Sequence, residues 1–352
     1  MKVLFITRKW PPAIGGMETY SLELTRELES KVELTVRALP GRADGDPPRT
    51  AALLGFAVTT SWKVLRQGGY DVVHGADMAI WPLALLARLR SPAAKVVLSA
   101  HGTDVSFAQR SGVRPAVYAL YMRLGVRLLR RARVLANSRA TGDRVQGLGY
   151  RSVATIPLGT RPLAQAAPPG AVGSFILFAG RLIRRKGCAW FATEVLPQLP
   201  PHISLVVAGT VWDEAERSAL ASDRITYLGG IDQGRLGVLM AGALCVVAPN
   251  IPSGKGHFEG FGLVAVEAAT AGGVVIASRM DGYTDSVLDG VTGFLAEPLS
   301  VDDWVSRISE VASWTPEARR AFTEKAAAKA RSYFTWERVA RETLEVYRAK
   351  WR

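Results

Sequence analysis

The 352-residue sequence predicts an α/β protein made of two similar halves, each a parallel sheet covered on both faces. Three observations support this. Short apolar runs suited to buried parallel strands alternate with helical stretches along nearly the whole chain. A Pro/Ala-rich segment without periodicity, Arg161–Gly170, interrupts the alternation near the middle and reads as a linker. The charge also divides there: residues 1–160 hold 23 Lys and Arg against 11 Asp and Glu, whereas residues 161–352 hold 21 against 20.

In the first half, Val3–Ile6 is a strand-like run followed by Pro11-Pro-Ala-Ile-Gly15-Gly16 and an amphipathic helix from about Met17 to Leu28. This strand–glycine turn–helix unit suits a phosphate or sugar, but the glycine spacing of a dinucleotide fingerprint is absent. Further strand-like runs fall at Val32–Val36, Asp71–His74 and Lys95–Ala100. The last of these ends in Ser99-Ala-His101-Gly. Ligands lie at the carboxyl ends of strands in open α/β sheets, so His101 either donates to a ligand hydroxyl or is satisfied by local backbone. In Arg114–Arg133, Val117, Leu120, Tyr121, Leu124 and Leu128 recur at helical spacing beside Arg123, Arg127, Arg130 and Arg131. Two readings stay open: a basic amphipathic helix lying on anionic lipid, or a core helix with solvated arginines. Arg133–Ser138 reads as a strand whose final serine caps the next helix.

The second half opens with Phe175-Ile-Leu-Phe-Ala-Gly180-Arg181, a strand and turn leading to Lys186-Gly187. Arg181 and Lys186 can converge on a diphosphate, one as a planar fork and the other as a compact charge. Strands are expected at Ile203–Ala208, Ile225–Leu228, Leu244–Ala248 and Val274–Ala277, and Tyr333–Trp351 reads as one amphipathic helix. Between the last two strands lies Glu259-Gly-Phe261-Gly262-Leu263-Val-Ala-Val-Glu267, a glycine turn feeding a helix. First-turn amides and the helix dipole favour an anion there, and two acceptor-only carboxylates beside it suit a ligand carrying phosphates and hydroxyls. The alternative is a surface helix with two solvated glutamates.

Composition excludes several classes. No apolar run approaches bilayer-spanning length, and the N-terminal run is too short for a secretory signal. Two cysteines, Cys188 and Cys245, in apolar surroundings argue against a disulfide framework and for a reducing cytoplasm. No Cys/His cluster has metal-ligand spacing. Asp44-x-Asp46 formally matches a metal-binding pair, but its Gly/Pro/Asp setting points to solvated turn chemistry. The excess positive charge of the first half points to a polyanionic partner.

Taken together, Gly15-Gly16, Ala100-His101-Gly102, Ala136-Asn-Ser138, Ile156-Pro-Leu-Gly159, Gly180-Arg181-Leu-x3-Lys186-Gly and Glu259-x7-Glu267 resemble the retaining GT-B glycosyltransferases of the GT4 group. The resemblance covers essentially the whole chain. It implies two Rossmann-like domains facing a central cleft, residues 1–162 and 171–334, with helix 335–352 returning to the first. It further implies that Arg181 and Lys186 bind and neutralise the diphosphate and that Glu259 holds donor-sugar hydroxyls. Glu267 would hold the ribose, amides near Phe261, Gly262 and Leu263 would face sugar and phosphate, and His101 would lie near the anomeric centre. Gly15, Gly16 and Gly180 would let backbone approach the donor. The expected activity is metal-independent transfer of a hexose, with no cofactor, from GDP-mannose or a UDP-hexose to a glycan or lipid-linked acceptor. Cell-envelope polysaccharide or lipopolysaccharide assembly, on the cytoplasmic face of an anionic membrane, is the expected setting. An NDP-sugar epimerase of the same fold and a basic nucleic-acid-binding protein are the alternatives; no recognition motif supports the latter. Two departures stand out: Pro157-Leu-Gly159 replaces the usual Pro-Asn-Gly, and the loop before Glu259 is long, bringing Lys255 and His257 toward the donor.

Overall fold

The computed structural model describes residues 1–13, 15–42, 44, 48–161, 173–254 and 256–350; Asp46, Lys255, Trp351 and all but the first residue of the Pro/Ala-rich segment fall outside them. The chain divides into two compact units, Met1–Gly159 with Trp336–Arg352, and Thr160–Thr335. The first half supplies β1 (Lys2–Thr7), α1 (Gly16–Glu29), β2 (Glu33–Ala38), α2 (Thr50–Arg66), β3 (Val72–Gly75) and α3 (Trp81–Arg90). It continues through β4 (Lys95–Ala100), α4 (Thr103–Ser106), α5 (Val113–Leu128), β5 (Arg133–Ala136), α6 (Arg139–Leu148) and β6 (Ser152–Thr155). The second half supplies β7 (Phe175–Ala179), α7 (Cys188–Trp190), β8 (Ser204–Ala208), α8 (Glu214–Ser218), β9 (Ile225–Gly229), α9 (Gln233–Gly242) and β10 (Cys245–Ala248). It ends with α10 (Leu263–Ala271), β11 (Val275–Ser278), α11 (Tyr283–Ser286), β12 (Phe294–Ala296), α12 (Val301–Ala312), α13 (Pro316–Tyr333) and α14 (Trp336–Arg348).

The first unit is a six-stranded sheet in the order β2-β1-β3-β4-β5-β6, parallel throughout. Right-handed crossovers decide where its helices lie. The steps from β2 through β6 all progress in one direction across the sheet, so α2, α3, α5 and α6 cover one face. The step from β1 to β2 runs the other way and puts α1 on the opposite face, where it meets α14. Leu4, Ile6, Val73, Val96 and Leu98 pack beneath Trp81, Met122 and Leu129 to form the core under the first group of helices.

Ser138 caps α6 as predicted, its hydroxyl accepting the Thr141 amide at 3.1 Å. Helix α5 shows which of its sides is packed. Its packed side is Met122 and Gly125, with a Cβ at Gly125 falling 2.9 Å from the Trp81 ring, so the helix sits close on α3. Of the predicted stripe only Tyr121 turns inward, donating its hydroxyl to Ala79 O. Val117, Leu120, Leu124 and Leu128 face solvent, so the predicted stripe is not the side that packs on the core.

The second unit is also six-stranded and parallel, in the order β12-β11-β10-β7-β8-β9. Its core has Phe178, Leu205, Phe191 and Trp304 on one side and Leu177, Val246, Ala265 and Ala268 on the other. Cys188 and Cys245 are free and buried, and burial pushes both thiols far up.

The predicted terminal helix is α14, and Tyr333, taken as its first residue, instead ends α13. Phe334 leaves helical geometry at φ −91°, ψ 59°, buries its ring against Phe261 and gives its carbonyl to the Thr160 amide at 2.9 Å. The chain restarts as α14, whose buried stripe is Trp336, Val339, Ala340, Leu344 and Tyr347. The Tyr347 hydroxyl meets His74 Nδ1 at 2.5 Å, and burial lowers His74 to a pKa of about 3, so the ring stays neutral. Lys95 Nζ closes the far end of α14 on the carbonyls of Tyr347 and Ala349, at 2.8 and 2.9 Å.

Candidate functional site

The strand order of the second unit positions its site. β7 and β10 are neighbours, and the chain winds outward from them in opposite directions, which opens a crevice at their carboxyl ends. The segment leaving β7 carries Gly180 to Lys186, and the loop leaving β10 carries Asn250 to Glu259. The Ile251 amide joins them by donating to Arg185 O at 3.0 Å. Gly187 permits this approach: it has φ +67°, and a Cβ there would lie 1.9 Å from Pro249 O.

Two cations converge on one carboxylate oxygen. Lys186 Nζ lies 2.5 Å and Arg185 Nη1 2.7 Å from Glu259 Oε2. Burial raises the Glu259 pKa, but Lys186 and Arg185 outweigh it and hold the group at about 2. Burial lowers Lys186, aided by repulsion from Arg185 and Arg181 and opposed by Glu259. The Glu259 backbone is fixed as well, its amide donating to Asp281 Oδ2 at 3.1 Å and its carbonyl accepting from Gly282 at 3.0 Å.

Beyond Glu259 the chain passes through buried Phe261 and enters α10 at Gly262, which has φ +82° and provides no side-chain cap. The first amides of the helix therefore lack the usual capping oxygen. A Cβ on Gly262 would fall 2.4 Å from the Tyr283 ring, which leaves glycine as the only fit. Glu267, one helical face further on, is raised by burial and lowered by Lys186. Its carboxylate makes no hydrogen bond or ion pair with a described residue, and Tyr283 Oη and Asn250 Oδ1 are likewise buried without a partner among them.

Of the predicted cation pair, Lys186 is in the cluster. Arg181 is exposed, its guanidinium 4.7 Å over the Trp212 ring, close enough to depress Lys186. Sequence reasoning missed Arg185. The available signal was the run Arg184-Arg185-Lys186, and only the 3₁₀ turn that it forms shows which members face Glu259. Tyr283 and Asp281 were missed too, being separated from Glu259 in sequence. His257 is exposed and bonded to Ser253 O at 3.0 Å; Lys255 lies outside the described residues.

In the first unit, the carboxyl ends of β1, β3 and β4 bring together Arg8, Asp77, His101 and Asp104. Arg8 Nε donates to both oxygens of Asp77, at 3.1 and 3.2 Å. His101 is buried, with Nε2 donating to Ala76 O at 2.8 Å and its amide donating to Asp104 Oδ1 at 2.9 Å. The backbone reading thus accounts for one ring nitrogen and leaves Nδ1 as an acceptor. Gly15 and Gly16 open α1, where the Glu18 carboxylate, unanticipated from sequence, stands over the first turn and pairs with Lys9 at 3.2 Å. Asp44 pairs with Arg42, which agrees with turn chemistry; Asp46 lies outside the described residues.

Two six-stranded parallel α/β units in one chain, with a crevice at the switch point of the second, are the architecture of the GT-B class. The family comparisons agree: residues 171–329 match the model "Glycosyl transferases group 1" and residues 14–162 match "Glycosyltransferase Family 4". The chain belongs to this GT4 group of glycosyltransferases. It is 26% identical over 346 residues, 88% of each chain, to the GDP-mannose-dependent alpha-(1-6)-phosphatidylinositol monomannoside mannosyltransferase of Mycolicibacterium smegmatis. It is 30% identical over 201 residues to the D-inositol 3-phosphate glycosyltransferase of Arthrobacter sp. (strain FB24), a match covering 54% of this chain and 46% of that protein, so about half of each is aligned. The fold is shared with Anabaena Alr3699/HepE in complex with UDP, at TM-score 0.72 and 19% identity over 98% of this chain and 99% of that one.

Proposed function

We propose that the protein moves a hexose from GDP-mannose or a UDP-hexose to a glycan or lipid-linked acceptor, with retention and without a metal ion, in cell-envelope polysaccharide or lipopolysaccharide assembly. The observation that carries this is the Arg185–Lys186–Glu259 cluster before the uncapped start of α10. In this reading Arg181, Arg185 and Lys186 take the diphosphate and stabilise its charge as it leaves, often the largest single catalytic term. The amides at Phe261, Gly262 and Leu263 add a helix terminus to the same task. Glu267, half-buried and without a hydrogen bond or ion pair to a described residue, accepts from ribose hydroxyls. His101 Nδ1 accepts from a sugar hydroxyl, and Gly15, Gly16 and Gly180 admit the donor close to backbone.

Glu259 is a hydroxyl clamp here rather than a nucleophile or base. The departing phosphate is left to assist acceptor deprotonation. In support, relatives act on GDP-mannose or on phosphoinositol acceptors by name, and a structural neighbour holds UDP. The reading places the protein on the cytoplasmic side of the membrane, peripherally attached through its basic half. Among the described residues no helix is long and apolar enough to cross a bilayer.

The test is calorimetric titration with UDP, GDP and ADP, followed by product analysis with the sugars of the nucleotide that binds. Transfer to an acceptor with the anomeric configuration kept is the expected result. A free, altered nucleotide-sugar formed without acceptor would replace the transferase by an epimerase. Loss of activity on chelation with recovery on manganese would overturn metal independence.

A further inference from the structure

Away from the carboxyl ends of the strands, the first unit carries a second basic site. An open cavity of about 720 Å³ is lined by Arg127, Arg130, Arg131, Arg133 and Arg151 with Val126, Gly149 and Ser152. It lies where α5 ends and at the amino-terminal ends of β5 and β6, since Arg133 and Ser152 are the first residues of those strands. His101 follows the carboxyl end of β4, so the cavity and that residue occupy opposite edges of the sheet. Arg127, Arg130, Arg131 and Arg151 form no ion pair with a described residue. These four guanidinium groups around one cavity repel one another unless an anion is shared among them.

Helix α5, whose last turn lines the cavity, also carries an exposed apolar stripe. Val113, Val117, Leu120, Leu124 and Leu128 lie at helical spacing along α5 and are 45–80% exposed. A similar stripe on α2, formed by Leu54, Val58, Trp62 and Leu65, is 53–69% exposed. α3 packs against both helices on the same face of the sheet and adds exposed Leu89. Sixteen residues of α5 span about 24 Å, a length that lies in the plane of a bilayer interface rather than across it.

We propose that this face of the first unit docks on an anionic lipid bilayer, with lipid phosphates in the arginine cavity and the α5 and α2 stripes against the acyl boundary. This deepens the membrane part of the reading above. On α5 the exposed side chains beside the cavity arginines are aliphatic and give no platform for base stacking, and exposed Trp62 on α2 suits the apolar face of an interfacial helix. The arginines alone attract any polyanion; the exposed Val/Leu stripe selects one with an apolar interior.

The test is cosedimentation of the full chain with vesicles of phosphatidylcholine alone or with one third phosphatidylglycerol. Binding to the anionic vesicles should exceed binding to neutral ones by about tenfold or more and fall with added salt. Replacing Arg127, Arg130 and Arg131 together by Glu, or by Gln in a milder set, should abolish the difference while the melting temperature is kept. Replacing Val117, Leu120 and Leu124 by Ser should remove the salt-resistant part of binding and keep the salt-sensitive part. Equal binding to both vesicles, wild-type binding by both arginine sets, or displacement from vesicles by a single-stranded oligonucleotide of equal charge would each overturn the proposal. Nucleotide titration of the wild-type chain reads the donor site separately, so failure of one reading leaves the other measurable.

Discussion

Glu259 Oε2 accepts both Lys186 and Arg185. Glu259→Ala should lower turnover by roughly 10²–10³-fold and change nucleoside-diphosphate affinity by only a few-fold, as seen by kinetics and calorimetry. The cations it releases remain available to phosphate, so a larger loss of nucleotide affinity than of turnover would contradict the hydroxyl-clamp role. The same group gives a pH prediction. Its folded pKa of about 2 lies below the ordinary 4.5, so its stabilisation is complete above pH 4.5 and is lost as the pH falls toward 2. That interval corresponds to about 3 kcal/mol, and Glu259→Gln should flatten the stability curve across it. Denaturant titrations at several pH values would reveal an unchanged slope. Lys186, Glu259 and Glu267 were legible in the sequence because strand, turn and helix signals surround them at fixed offsets. Arg185 was not, because neighbours in a cationic run differ only in the direction given by a 3₁₀ turn.

At the scale of elements, α10 depends on Gly262. The positive φ and the Tyr283 ring, 2.4 Å from a Cβ, both exclude a larger residue. Gly262→Ala should cost about 3 kcal/mol in chemical denaturation and weaken nucleotide binding through displacement of the helix start. Gly55→Ala in α2, where a Cβ meets nothing within 4 Å, is the matched control and should be neutral or mildly stabilising. Most strands were legible as apolar runs, within one or two residues at their ends. β6, with only half-buried and exposed positions, and the three-residue β12 gave no apolar run to detect. Periodicity identified α5 but not the side that it buries: the apolar stripe faces out, and close packing on Trp81 is achieved through Met122 and a glycine.

Across the whole molecule, two units with separate cores should respond differently to a ligand held by one of them. Nucleoside diphosphate at about 100 times its dissociation constant adds about 2.7 kcal/mol to the unit that binds it. In scanning calorimetry this should raise the transition of the second unit and leave that of the first in place. A shift of the first alone would contradict a diphosphate site built from Arg185 and Lys186. The uneven charge of the chain was plain in the sequence, but its concentration into one cavity depended on the fold, which brings Arg151 beside the end of α5.

The two basic sites differ in what already neutralises them. Lys186 and Arg185 come with an internal counter-ion, so taking up a diphosphate is an exchange in which they trade one anion for another and release Glu259 to the sugar. Such an exchange disturbs few mobile ions, and nucleotide affinity should vary little with ionic strength. Among the described residues, four arginines of the cavity beside α5 have no such resident carboxylate. Anions reaching them displace solution counter-ions, so attachment there should weaken steeply with salt. One chain therefore combines an affinity indifferent to salt with another governed by it, and a salt titration that follows both at once can resolve them.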